Sequence, residues 1–206
     1  HRLATAASTQ LANVLVARGK HKIRSAERAG KTEADKKTLT SEARALFEEA
    51  KTALEVADER LYQELKRLQS SADANLSDET ERARQDFLLA RLSLAKVEFE
   101  IGRTYPAGSE DFKKYVGSSA DKFNALYEKY GTGDKRYGAS LHARLGEARS
   151  RESLGENVET KAILSALLMD AQIAENPLFE SLRIECLVLF MEICLKPEVL
   201  ECQDAI

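Results

Sequence analysis

A long series of apolar residues between positions 39 and 68 constrains the fold more than any other feature. The series is Leu39, Ala43, Leu46, Phe47, Ala50, Leu54, Ala57, Leu61, Leu65 and Leu68, with Glu, Lys and Arg filling most positions between them. This spacing predicts one amphipathic α-helix over residues 39–69. About thirty helical residues make a rod of about 45 Å, so the fold must be built around an unusually long element.

Composition favours helix in the rest of the chain as well. Only three prolines and ten glycines occur in 206 residues, and 43 % of the residues are hydrophobic. Ala, Leu, Glu, Lys and Arg lose little rotamer freedom in a helix, and this apolar content is enough for a folded core. We therefore expect an all-α fold with essentially no β-sheet.

Turn-forming segments divide the chain into seven or eight predicted helices. The predicted spans are 3–28, 39–69, 78–104, 109–130, 137–154, 157–173 and 177–196, with a short eighth helix after Pro197. Asp78 with Glu81 resembles a capping box at the third helix. Asn176 followed by Pro177 predicts an N-cap with proline at the first helical position of the seventh.

One spacing, small-x3-bulky-x2-small or apolar, occurs three times. It is formed by Ala43, Phe47 and Ala50, by Ser119, Phe123 and Leu126, and in a weaker form by Ala162, Ala166 and Met169. Upstream of each lies Leu followed by a small residue: Leu11-Ala12, Leu89-Ala90 or Leu94-Ala95, and Leu145-Gly146. This order predicts stacked antiparallel helical hairpins at 3–69, 77–130, 137–173 and 177–205, within a single domain of residues 1–206.

These residues resemble the tetratricopeptide-repeat family. The first helix of that repeat carries a Leu-Gly/Ala step, matched by Leu145 and Gly146, and the second carries Ala-x3-aromatic-x2-Ala, matched around Phe47. The resemblance covers roughly residues 11–170 but departs from the usual 34-residue period, because Phe47 and Phe123 lie 76 positions apart. It implies a tetratricopeptide-like α-solenoid that presents a docking groove. An irregular helical bundle with the same helix count stays open as the alternative.

Charge and motif content argue against several classes of function. The net charge of -3 is too close to neutral for a general nucleic-acid binder. His1, His21 and His142 show no metal-ligand spacing, and no nucleophile-elbow motif is present. No apolar run is long enough to cross a membrane. We expect no enzyme activity, no metal, no cofactor and no transmembrane segment.

The three cysteines, Cys186, Cys194 and Cys202, are spaced eight apart and form no evident disulfide framework. We expect buried thiols, and unpaired cysteines favour a reducing compartment such as the cytoplasm. The chain begins at His1 rather than Met. We therefore expect a fragment of a longer chain, and the cell envelope stays open as a location if a signal or anchor precedes it.

Two groups of residues are candidates for contacting a partner. A basic run opposed only by Glu27 could face an acidic protein, a phosphate surface or an anionic membrane, or simply be a solvated helix face; its residues are Arg18, Lys20, Lys22, Arg24, Arg28 and Lys31. Nine of the thirteen aromatic residues lie between Phe87 and Tyr137. Most should be core, but Tyr115, Tyr127 and Tyr130 are candidates for a groove that holds a peptide.

The segment from Cys186 to Leu195 is apolar except for Glu192. A helix that is apolar on all sides must be covered on several of them. Further repeats in a longer chain or a second protomer could cover it, and we favour further repeats because solenoids end in a polar capping helix.

The leading hypothesis is therefore a noncatalytic scaffold that docks a peptide or helix of a partner protein in a helical-repeat groove. The alternative is a structural module that oligomerises through the long helix and the apolar C-terminal helix. An enzyme or small-molecule binder would need a deep pocket with convergent polar groups, and no feature of the sequence indicates one.

Overall fold

A computed structural model describes residues 2–28, 30–71, 76–132 and 136–196. Within these ranges the chain forms eight α-helices, short 3-10 turns and no β-strand. The helices are α1 (Arg2–Ala26), α2 (Glu33–Gln69), α3 (Ser77–Gly102), α4 (Glu110–Tyr130), α5 (Gly138–Ser153), α6 (Asn157–Leu168), α7 (Ala171–Glu175) and α8 (Glu180–Cys194). The all-α prediction is confirmed. The solenoid arrangement stays a prediction.

The helices belong to two compact units, His1–Tyr115 and Val116–Ile206, here called unit 1 and unit 2. The division falls within α4. The predicted hairpin 77–130 crosses this division and stays a prediction. Residues 197–206, with the predicted eighth helix, lie outside the described residues.

The long helix α2 begins six residues earlier than predicted, at Glu33 rather than Leu39. Thr32 caps it, because its hydroxyl accepts a hydrogen bond from the Asp35 amide (3.1 Å) and the Asp35 carboxylate accepts one from the Thr32 amide (3.2 Å). This is a capping box, and its hydrogen bonds lower the pKa of Asp35. The sequence prediction followed the apolar residues only, so it missed a polar first turn.

The predicted cap of α3 is wrong. The helix begins at Ser77, and the capping position is Leu76, whose side chain makes no capping hydrogen bond. Asp78 lies inside the first turn instead, together with Glu79. Negative charge there stabilises the helix through its dipole rather than through a cap.

The core of unit 1 forms around Phe47, which is fully buried. The first two helices run antiparallel: Lys22 late in α1 pairs with Glu42 early in α2 (2.6 Å), and Thr9 early in α1 lines the same cavity as Glu64 late in α2. Gly19 lies against Phe47, and a Cβ on Gly19 would sit 2.4 Å from Cε1 of the ring. Val97 and Ile101 of α3 join the same cluster. Ala43, Phe47 and Ala50 thus lie on one buried face.

Unit 2 contains the same kind of contact between a buried phenylalanine ring and a glycine. Phe123 of α4 is buried, and a Cβ on Gly146 of α5 would lie 2.7 Å from its ring. The order is reversed relative to unit 1, since here the phenylalanine precedes the glycine. Helices α5, α6 and α8 pack together over a core that includes Leu164 and Cys186.

The third copy of the repeated spacing does not behave like the first two. Ala162, Ala166 and Met169 lie on the exposed side of α6, and Met169 is 84 % exposed. The buried face of α6 is formed instead by Thr160, Ile163, Leu164 and Leu167. The neighbouring apolar positions in this short helix offered two possible faces, and packing against α5 and α8 selects the other one.

The end of the described chain differs from prediction in one further detail. The predicted helix 157–173 ends at Leu168, and the short helix α7 follows. The Asn176 cap is confirmed, because its side-chain oxygen accepts a hydrogen bond from the Leu178 amide (3.0 Å). It starts a 3-10 turn, Pro177–Phe179, that leads into α8. Cys186 is buried and Cys194 half-buried, whereas Cys202 lies outside the described residues.

Candidate functional site

A groove opens in unit 1 between α1, α2 and α3, with a cavity volume of about 1120 Å³. We call it the α1–α3 groove. Its lining comprises Thr5, Ala6, Thr9, Gln10, Asn13, Glu59, Arg60, Leu61, Gln63, Glu64, Arg67, Asp86, Leu89, Ala90 and Ser93. The lined stretches of α1 and α2 each advance by eight residues, about 12 Å along a helix. The groove is therefore about two helical turns long.

The position of the groove follows from how the three helices pack. Both α1 and α3 pack against α2. Their residues Ala12 and Val97 share the core around Phe47, whereas the stretches nearer the start of each helix line the groove. The groove therefore adjoins this core and is built on rigid helices rather than loops.

The groove combines apolar and polar surfaces. Leu89 is 53 % exposed, and Leu61 and Ala90 lie beside it in the lining. Gln10 and Asn13 add exposed amides from α1, and an amide group can both donate and accept hydrogen bonds. This surface can hold apolar side chains while bonding to backbone or polar groups.

Most charges that α2 contributes to the groove have partners within the helix. The Glu64 carboxylate accepts two hydrogen bonds from Arg67 (2.9 and 3.0 Å), and Glu59 accepts one from Gln63 (2.7 Å). These pairs hold the polar side chains of α2 in place at the edge of the groove, and they leave no strong net charge there.

The basic run of α1 separates into two classes of residue. Lys20 pairs with Glu100 of α3 (2.9 Å), and Lys22 pairs with Glu42 of α2 (2.6 Å). These two lysines connect helices of unit 1. Arg18, Arg24, Arg28 and Lys31 are exposed. These four residues are the part of the run that is available to a partner.

Tyr115 is half-buried and tied to its neighbours within unit 1. Its hydroxyl donates a hydrogen bond to Glu48 (3.2 Å), and its ring stacks on Tyr105 with centroids 5.7 Å apart. Arg44 lies 3.7 Å above the Tyr105 ring and donates to Thr104. Burial, followed by the charge and hydrogen bond of Glu48, raises the pKa of Tyr115 to about 12. These contacts place Tyr115 in the framework of unit 1.

Tyr115 should therefore make stability sensitive to alkaline pH. Its folded pKa lies above the unfolded value of about 10, so its contribution is present below about pH 10 and is lost as pH rises towards about 12. We expect Tyr115→Phe to lose less unfolding free energy than the wild type over this range, measured by urea denaturation at several pH values. Equal losses in the two proteins would contradict the assignment.

Tyr127 and Tyr130 both contact other side chains of unit 2. The Arg144 guanidinium lies 4.7 Å from the Tyr127 ring centroid, and Tyr130 meets Tyr137 edge to face at 6.1 Å. Both tyrosines are half-buried. They leave part of each ring at the surface.

None of the nine candidate residues predicted from the sequence lines the α1–α3 groove. The sequence prediction selected tyrosines and a run of like charges, whereas the groove is lined by charges of both signs, amides, threonines and one exposed leucine. One usable signal was the uncharged polar row Thr5, Thr9, Gln10 and Asn13 in the first half of α1, which differs from the charged surface of α2.

The described residues place limits on other kinds of site. Within 2–28, 30–71, 76–132 and 136–196, no three His, Cys, Asp or Glu side chains are placed to hold a metal ion. No helix among these residues is long and apolar enough to cross a membrane.

The geometry of the groove therefore has to be interpreted by its own chemistry. Comparison of this chain with protein-family profiles, with curated proteins and with solved structures finds no match in any of the three.

Proposed function

We propose that this chain is a noncatalytic protein–protein interaction module that docks a peptide or helix of a partner protein in the α1–α3 groove. The observation that carries the proposal is the groove itself, which has a volume of about 1120 Å³ and is lined by three helices. The resemblance to tetratricopeptide arrays supports the same class of function, and a solenoid arrangement of the helices is part of the proposal.

The size of the groove favours a peptide over a small molecule. Pockets for small ligands usually measure about 300–1,000 Å³, and this groove is slightly larger. Its length of about two turns matches the i, i+3/i+4, i+7 anchors of an amphipathic helix. Leu89 and Leu61 would receive apolar anchors, and the amides of Gln10 and Asn13 would bond at the edge.

Preorganisation supports binding by this groove. Its side chains project from helices that are held by the buried core around Phe47, so few backbone torsions must be fixed when a partner binds. Association then costs less conformational entropy than docking onto mobile loops. Moderate affinity with defined register is the expected result.

A charge placed in the groove tests this function directly. We expect peptides selected by the wild-type protein from displayed libraries of helical and linear sequences to lose at least about tenfold in affinity for Leu89→Glu, because a charge would then face an apolar anchor. Leu89 is 53 % exposed, so the substitution should leave the fold intact by circular dichroism.

The matched control is Leu11→Glu, which changes a leucine of α1 that is 49 % exposed and outside the groove lining. The affinity of Leu11→Glu for the selected peptides should equal that of the wild type. Failure to select any peptide, or equal losses for the two variants, would count against docking in this groove.

The oligomerisation alternative depends on the C-terminal helix. The apolar face of α2, including Ala43, Phe47 and Leu54, is already buried within unit 1. The outer surface of α2 is largely charged. Self-association through this long helix would therefore have to use polar contacts, which favours α8 as the self-associating element in that alternative.

A further inference from the structure

Helix α8 carries apolar residues on two opposite faces. One face, formed by Leu182, Cys186, Leu189 and Ile193, is buried in the core of unit 2. These residues follow the steps of four and three that define one side of a helix. This face accounts for the stability of α8 in unit 2, but it uses only four of the helix's ten apolar residues.

The opposite face is exposed. It consists of Ile184, Leu187, Val188, Met191 and Leu195, whose exposure ranges from 43 % for Leu187 to 77 % for Leu195. We call it the α8 stripe. Four of its members, at 184, 188, 191 and 195, repeat at steps of four, three and four. That is the spacing of a seam by which two helices pack together.

A stripe of this size needs cover. Single exposed apolar residues are normal on soluble proteins, but a contiguous patch of about 300–600 Å² equals the largest patch on a typical monomer and is often functional. Five adjoining side chains at these exposures fall in that range. Two such patches placed face to face would bury about 600–1,200 Å², which reaches the lower limit of specific interfaces. The area fits a reversible dimer.

We propose that the α8 stripe is the self-association surface of this protein and that its occupant is the α8 stripe of a second copy. The pattern is self-complementary: positions 184, 187, 188 and 191 read the same in both directions about their midpoint. An antiparallel pair places Ile184 of one copy opposite Met191 of the other, with Leu187 and Val188 at the centre. Such an isologous contact closes on itself and gives a dimer rather than a filament.

The charges beside the stripe are compatible with this pairing. Glu185 is paired with Arg149 (2.6 Å), and Lys196 is paired with Glu152 (2.7 Å) within the same unit. The stripe itself contains no charged residue. Two exposed carboxylates adjoin it: Glu180 lies one turn before Ile184 on the same face, at the end of the stripe, and Glu192 lies about a quarter turn to one side. Pairing two copies therefore buries no ionised group at the centre of the contact.

This inference is independent of the α1–α3 groove, which belongs to unit 1. The stripe lies wholly in unit 2. A dimer formed through α8 would carry two grooves, and its existence can be tested without any partner peptide.

Sedimentation equilibrium of the purified chain, from about 1 µM to about 1 mM, tests the proposal. We expect the average mass to rise with concentration from 22.9 kDa towards twice that value. Met191→Glu should raise the dimer dissociation constant by at least about 100-fold, because it places a carboxylate in the seam. Met191 is 64 % exposed, so this variant should keep the helical circular dichroism of the wild type.

Leu11→Glu again serves as the control and should dimerise like the wild type. Val188→Glu provides a second variant at the centre of the stripe and should raise the dimer dissociation constant to a similar extent. A wild-type protein that stays monomeric over the whole range would overturn the proposal and leave the stripe to further helices of a longer chain or to a different protein. A dimer that neither stripe variant weakens would overturn it as well, because another surface would then hold the copies together.

Discussion

Replacing Phe47 with alanine is expected to lower the free energy of unfolding by about 3–5 kcal/mol, the usual cost of truncating a buried phenylalanine. The ring is 0 % exposed and fills the space left by the missing side chain of Gly19. Contacts among α1, α2 and α3 meet at this ring, so the cavity would lie where the three helices join. Urea denaturation followed by helical circular dichroism measures the change.

Val56→Ala is the control for Phe47→Ala, because Val56 lies on the same helix but is 42 % exposed. Its effect should stay within about 0.5 kcal/mol. If Phe47→Ala left the unfolding midpoint unchanged, then Phe47 would not be a core residue and the register of α2 against α1 would be wrong.

The second large effect is expected at Glu147 in unit 2. This carboxylate is 2 % exposed and accepts hydrogen bonds from Arg144 (2.5 Å) and Arg151 (2.9 Å). The bond to Glu147 is also the main reason that the pKa of Arg151 is raised. Glu147→Gln keeps the shape of the side chain but removes its negative charge. Arg144 and Arg151 then both lose this ion-pair partner. We expect a loss of about 3 kcal/mol in unfolding free energy, as when one partner of a buried ion pair is removed.

The surface pair Arg149–Glu185 provides a matched comparison, since both side chains are more than 40 % exposed. Glu185→Gln should cost less than about 1 kcal/mol, and the loss should shrink further in high salt. The loss at Glu147 should persist in salt because its surroundings exclude solvent. Equal effects at the two sites in urea denaturation would contradict the view that burial makes Glu147 important.

The sequence predicts the helices of this protein well because most of them have a clear apolar face. The buried residues of α2 follow the predicted series from Ala43 to Leu68. The missed elements are those without an apolar signal. The capping box at Thr32 is polar, and the break after Leu168 depends on packing among short helices rather than on a proline or glycine.

The repeated spacing shows where sequence pattern alone becomes ambiguous. Its first two copies are buried around Phe47 and Phe123, whereas the third, ending at Met169, is exposed. The third copy lacks an aromatic residue. Because no bulky side chain of this copy favours burial of its own face, packing against the neighbouring helices determines which face of α6 is buried.

The candidate groove could not have been located from the sequence. It depends on how α1 and α3 lie relative to α2, and its lining residues, such as Gln10 and Leu89, are unremarkable singly. Conversely, Lys20 and Tyr115 looked available for a partner, but Glu100 and Glu48, both distant in sequence, pair with them. Long-range partners of this kind leave no local signal.

The two glycine–phenylalanine contacts also restrict how this protein can change by mutation. At Gly19 and Gly146 the hydrogen in place of a side chain leaves just enough room for the ring of Phe47 or Phe123. A larger residue in place of the glycine fits only if a smaller residue replaces the phenylalanine. A single substitution at either position is therefore unfavourable. Positions 19 and 47, and likewise 146 and 123, should therefore be inherited as coupled pairs, each changing in concert or not at all.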